Sequence, residues 1–119
     1  MKAFLLLAHG SRKTTSNEEV IRLAEQFSSR NSEKYPIVKA GFLELAKPDI
    51  HDTIDAAINA GATELVILPY FLASGTHVVD DIPRIVAERL AANPEMSYTI
   101  LTHVGGAEGM LNLIEELTR

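Results

Sequence analysis

Short apolar runs alternate with amphipathic stretches along the whole chain. Lys2 to Ala8 (KAFLLLA) and Leu65 to Leu68 are continuous apolar runs. Both are too short for a helix and unbroken enough to be strands buried on both faces of a parallel sheet. Ile37 to Leu43, introduced by Pro36, and Tyr98 to Thr102 supply two further strands. Between them the apolar positions recur with helical spacing. Ser16 and Glu19 form a capping box ahead of a first helix with Val20, Leu23, Ala24 and Phe27 on one stripe. Lys47-Pro48-Asp49 opens a second helix in which Ile50, Ile54, Ala57 and Ile58 share a face, and Gly61 fits the position that ends it. A third helix is predicted from about Val79 to Ala92, with Asp80 and Asp81 in its first turn and Asn93-Pro94 as its stop. His103-Val104-Gly105-Gly106 leads into a last helix expected to turn Met110, Leu113, Ile114 and Leu117 inward.

Strict alternation of strand and helix, joined by right-handed crossovers, predicts an α/β fold. The expectation is one domain, residues 1–119, with a four-stranded parallel sheet in the order 2-1-3-4 and helices on both faces. In that order the winding reverses between the first and third strands, and ligands bind in the crevice beyond their carboxyl ends.

Composition narrows the chemistry. With 119 residues, 46% of them hydrophobic, the chain is large enough for a core yet near the size where a partner subunit helps. No apolar run approaches the roughly 20 residues of a membrane span, and Met1-Lys2 leads straight into a strand without a signal-peptide pattern, so a cytoplasmic location is expected. The absence of cysteine removes disulfides, thiolate metal sites, cysteine-ligated clusters and cysteine nucleophiles. A net charge of −5 without a basic stripe argues against nucleic acid as a partner.

Three polar residues fall at the crevice. His9 ends the first strand, Glu44 lies just past the second, and His77 follows the third on a loop loosened by Gly75. Two imidazoles and a carboxylate suit divalent cobalt, nickel, iron or zinc. His77 is expected just before a helix N-terminus, whose field favours the neutral imidazole. From the pattern alone, a structural histidine is an equal reading for His9, bonded to backbone at its strand end, and for His77, while for Glu44 a solvated carboxylate or a partner of Lys47 outweighs ligation. His51 falls on the polar side of its helix, and His103 lies one strand further from the crevice. Arg12 and Lys13 either solvate a loop or receive ligand carboxylates, with Thr76 and the amides of Gly10 and Ser11. The chain lacks a P-loop, a GxGxxG and a GxSxG. Histidine phosphatases place arginine before their His-Gly, where this chain has Ala8.

The segments Leu6-Leu-Ala-His9-Gly10-Ser11-Arg12, Gly41-Phe-Leu-Glu44-Leu-Ala-Lys-Pro48 and Pro69-Tyr-Phe-Leu-Ala-Ser-Gly75-Thr-His77-Val-Val-Asp-Asp81-Ile-Pro83, together and in this order, resemble the small sirohydrochlorin chelatases of the CbiX type. These are class II, ATP-independent chelatases. The resemblance implies insertion of cobalt, nickel or iron into sirohydrochlorin, a tetrapyrrole bearing eight carboxylates. It implies that His9 and His77 hold the metal or accept pyrrole protons, with Glu44 assisting, and that the metal is a substrate rather than a permanently bound cofactor. Gly10, Ser11, Arg12 and Thr76 are then expected to bind the ligand. A one-copy member is expected to pair as a homodimer. The competing expectation is a non-catalytic metal or tetrapyrrole carrier on the same fold.

Overall fold

β1 (Lys2–Ala8) is buried from Ala3 onward because parallel strands flank it on both sides and helices cover it on both faces. It pairs with β2 (Ile37–Phe42) on one side and β3 (Glu64–Pro69) on the other, and β4 (Ser97–Ile100) extends β3. All pairings are parallel, giving the order β2-β1-β3-β4 in this computed structural model, which describes residues 1–119. The fold class and strand order are those read from the sequence.

Side chains of the strands alternate between two cores, as the pleat requires. Leu5 and Leu7 of β1 and Leu65 and Ile67 of β3 pack with Ile54 and Ala57 of α2 (Ile50–Asn59) and with Ile82, Val86 and Leu90 of α3 (Ile82–Leu90). Phe4, Leu6 and Val66 face the other way, toward Ala24 of α1 (Thr14–Arg30), and Phe4 stacks on Phe27 with ring centroids 4.3 Å apart. Full burial of each large apolar side chain contributes roughly 1.5–3 kcal/mol, so the core on the α2–α3 side carries most of the stability.

The ends of α2 follow from its sequence. The Asp49 carboxylate accepts from the Asp52 amide at 2.8 Å and caps the start. At the other end Gly61, at φ +105°, takes the left-handed position, and the Gly61 and Ala62 amides close onto Ile58 and Ala57 carbonyls at 3.0 and 3.1 Å. Arg89 of α3 reaches Asp55 of α2 with two hydrogen bonds and ties the two helices together.

Several details differ from the sequence reading; β2 ends at Phe42 rather than Leu43, and β4 runs Ser97–Ile100 rather than Tyr98–Thr102. The Ser16–Glu19 capping box is not used, because α1 starts at Thr14 and its cap, Lys13, makes no side-chain bond. Asn17 anchors the preceding loop instead, accepting from the Ser11 amide at 2.9 Å and donating to the Ser11 carbonyl at 2.7 Å. The third helical segment opens two residues early, as a π-type turn from His77 to Asp81, and its α-helical part ends at Leu90 rather than Ala92. Pro83 has no amide hydrogen to give Val79, so the ladder slips by one residue there and the Ile82 amide bonds the His77 carbonyl. The last helix, α4 (Gly109–Leu117), turns nothing inward: it has no buried residue, and Leu113, Ile114 and Leu117 are 49%, 49% and 74% exposed. The Gly105 amide bonds the Phe71 carbonyl at 3.0 Å, fixing the 3₁₀ turn of Val104–Gly106 against the loop after β3 and sending α4 away from the sheet. Helices therefore cover both faces, but on the α1 side the half of the sheet toward β4 lies open. No helix is long and apolar enough to cross a membrane.

Candidate metal centre

The carboxyl ends of β1, β2 and β3 bring His9, Glu44 and His77 together. The β1–β2 ladder runs past the strands proper: the Leu43 amide bonds the Ala8 carbonyl at 2.9 Å and the Glu44 amide bonds the His9 carbonyl at 3.0 Å. Glu44 is thus registered beside His9 by backbone, not by chance of side-chain length. Gly10 makes the approach possible. It sits at φ +97°, and a Cβ there would lie 1.8 Å from the Glu44 carbonyl oxygen.

The His9 Nε2 atom lies 3.0 Å from a Glu44 carboxylate oxygen, and its Nδ1 lies 3.0 Å from the Gly10 carbonyl. The His77 ring stands 5.0 Å from the His9 ring, centroid to centroid, at 62°. One ligand atom from each of His9, Glu44 and His77 falls within a set whose members are all within 4.8 Å of one another. Bonds from a divalent transition metal to nitrogen and oxygen of about 2.0–2.2 Å place neighbouring tetrahedral ligands about 3.5 Å apart. Capture of a metal therefore needs only small side-chain rotations, and all three side chains are 40–54% exposed and open to a ligand from outside.

His77 is oriented by its own helical turn. Its Nδ1 is 2.8 Å from the Asp81 carboxylate four residues on, and Arg84 approaches the other carboxylate oxygen at 3.4 Å. The hydrogen bond from His77, with a smaller contribution from Arg84, holds the Asp81 carboxyl below its ordinary range. Donation from Nδ1 to Asp81 leaves Nε2 with its lone pair for a metal or a proton. This corrects the sequence argument for His77, which relied on the field of a helix starting after it: His77 lies inside the turn, and a carboxylate sets its tautomer. The sequence pattern gives Asp81 only as a first-turn acid. The signal that could have found it is its spacing of four from His77 in a helical segment.

The remaining expected ligand-binding residues are not drawn into the cluster. The Ser11 amide and carbonyl are both taken by Asn17, and its hydroxyl accepts from the Lys13 amide at 3.0 Å, so Ser11 shapes the loop and has no amide to offer a carboxylate. Arg12 and Thr76 are exposed, and Thr76 makes no side-chain cap. His103 is half-buried against Gly106, and His51 is exposed on α2.

The domain is of the doubly wound α/β class, and the crevice at the switch point of its sheet, where such folds bind ligands, is lined by a His–carboxylate–His cluster that could hold a metal. The chain belongs to the CbiX family, whose model matches residues 3–119. It is 41% identical over 86 residues to a sirohydrochlorin cobaltochelatase of Methanocaldococcus jannaschii, covering 72% of this chain and 59% of that relative. It is 30% identical over 112 residues to the chloroplastic sirohydrochlorin ferrochelatase of Arabidopsis thaliana, covering 94% of this chain and 49% of that one. Among solved structures it superposes on the sirohydrochlorin chelatase SirB from Bacillus subtilis subspecies spizizenii in complex with cobalt, with a TM-score of 0.87, 25% identity, and coverage of 98% of this chain and 49% of the other. A CbiX protein from Marinobacter aquaeolei VT8 shares the fold at a TM-score of 0.79 and 22% identity, covering 99% of this chain and 94% of that one. The matched region thus spans between about half and three fifths of the length of these curated relatives.

Proposed function

We propose that this chain catalyses insertion of a divalent metal, cobalt, iron or nickel, into sirohydrochlorin without ATP. The observation that carries the reading is the convergence of His9, Glu44 and His77 within 4.8 Å at the carboxyl edge of the sheet. The names of the relatives supply the substrate, and imidazole with carboxylate accommodates any of the three metals. The metal is cargo, taken up and delivered in each cycle, with no resident cofactor.

Insertion must release two pyrrole N–H protons for each divalent ion that enters the ring. His9 and His77 hold the hydrated ion through ring nitrogens. As the ion passes to the pyrrole nitrogens, the vacated imidazole nitrogens take up the two protons. Two positive charges leave and two arrive, so the net charge of the site is unchanged. Glu44 then steadies the proton on His9 through their 3.0 Å contact. Asp81 keeps the His77 ring aimed. Arg12, Thr76 and the Gly10 amide, at the rim, meet the carboxylates of the macrocycle. We infer a cytoplasmic homodimer, the apolar exposure of α4 being what favours a partner copy.

The test is an absorbance assay of cobalt insertion into sirohydrochlorin at a protein concentration far below that of substrate. Many turnovers per chain, faster than the spontaneous reaction, are expected. Capture of one equivalent followed by arrest would replace the enzyme with a carrier.

A further inference from the structure

We propose that Pro83 is a positioning residue for the metal centre, keeping the turn His77–Asp81 in its π form and so setting the rotation at which His77 faces His9; this rests on the reading of His77 as a metal ligand given above. Pro83 itself lies on α3, behind the cluster, and acts only through the backbone.

A helix is held in rotation by the side chains it buries. In α3 these are Ile82, Val86 and Leu90, four residues apart and all buried in the core on the α2–α3 side. They peg α3 against the sheet. The turn before it has no such peg. None of its five residues is buried, and Val79 is 62% exposed. At its far end a Cβ on Gly75 would meet nothing within 4 Å. The direction His77 takes therefore follows from how the backbone winds between it and Ile82.

That winding is set by hydrogen bonds. The Ile82 amide bonds the His77 carbonyl, five residues back, where an α-helix would bond it to Val78, four back. The turn thus takes in one residue more than an α turn, and one residue corresponds to about 100° of α-helical rotation. Wound as α from the same peg, His77 would face about a quarter turn away, and a ring carried about 5 Å from the helix axis would move by roughly 7 Å. The three ligand atoms of His9, Glu44 and His77 lie within 4.8 Å of one another, so a shift of that size takes His77 out of the set.

Pro83 is what blocks the α form. An α ladder continued through this point would draw the amide at position 83 to the Val79 carbonyl, but proline has no amide hydrogen and its ring collides with that oxygen. The side-chain bonds along the turn do not make the choice. His77 meets Asp81 at 2.8 Å and Arg84 meets Asp81 at 3.4 Å, and residues four and three apart are neighbours in an α-helix as well.

The test is Pro83→Ala in the full chain, alone and combined with deletion of Val79. Alanine supplies the missing amide and suits a helix, so hydrogen exchange should find that amide protected, with thermal melting no lower than wild type. Cobalt affinity, measured by calorimetry, is expected to fall about tenfold or more. Deleting Val79 from the same variant removes the extra residue, leaves an α turn that returns His77 to nearly its present angle, and is expected to restore the affinity. A merely structural role for Pro83 gives no such rescue. An amide that stays unprotected, a protected amide with unchanged affinity, or an affinity that the deletion does not restore overturns the proposal. His77→Ala is the control for the reading beneath it: cobalt bound as tightly by that variant as by wild type removes His77 from the site, a failure distinct from any failure of the turn.

Discussion

The site turns on a few atoms whose positions backbone geometry dictates. Gly10 lets the β1 turn pass the Glu44 carbonyl, and Gly10→Ala places a methyl carbon 1.8 Å from that oxygen at a φ unsuited to alanine. The left-handed conformation alone costs about 1–2 kcal/mol, and the overlap adds to it, so thermal melting should show a drop of several degrees together with loss of metal binding. Asp81 is the residue through which His77 is aimed. Asp81→Asn removes the strong acceptor for Nδ1–H, and cobalt affinity measured by calorimetry is expected to fall about 10–100-fold while melting changes little. An unchanged affinity would assign Asp81 to the helix alone. The sequence made His9, Glu44 and His77 legible because polar residues at three strand ends stand out against apolar runs. Asp81 was hidden because the helix is expected only from about Val79, which puts His77 outside it and breaks the spacing of four, and nothing in the pattern shows that Asn17 takes up the backbone of Ser11.

At the scale of elements, the strands and their order were legible because four apolar runs separated by helical periodicity leave few right-handed arrangements. The fate of α4 was not: its amphipathic stripe predicts an inward face, but the turn at Val104–Gly106 sends the helix away from the sheet and leaves its leucines exposed. The clamp between α2 and α3 carries a testable pH dependence. Arg89, by hydrogen bond first and charge second, lowers the Asp55 carboxyl below its ordinary 3.8. A carboxyl depressed in the folded state stabilises fully above its unfolded value and loses that contribution as pH falls through the folded one. Because both side chains are about 40% exposed, solvent screens the pair, and its worth is on the order of 0.5 kcal/mol. Urea denaturation should therefore find Asp55→Asn weaker than wild type by that amount at neutral pH, with the gap closing below about pH 4. A gap that persists at low pH would show that shape, not charge, holds these helices.

In the whole molecule, the doubly wound sheet gathers residues 9, 44 and 77 at one edge although they are far apart in the chain, and the large core beneath them on the α2–α3 side is independent of their side chains. His9→Ala and His77→Ala are accordingly expected to melt near wild type while slowing cobalt insertion by at least about a hundredfold. The claim beneath all of this is that both imidazoles hold the incoming metal. X-ray absorption at the cobalt edge of the cobalt-loaded protein addresses it directly. Scattering from two imidazoles is expected for wild type, falling to one when either His9 or His77 is replaced by alanine. Scattering that keeps both imidazoles in His77→Ala, or shows only water and carboxylate oxygen in wild type, would place the metal elsewhere and end this account of the site.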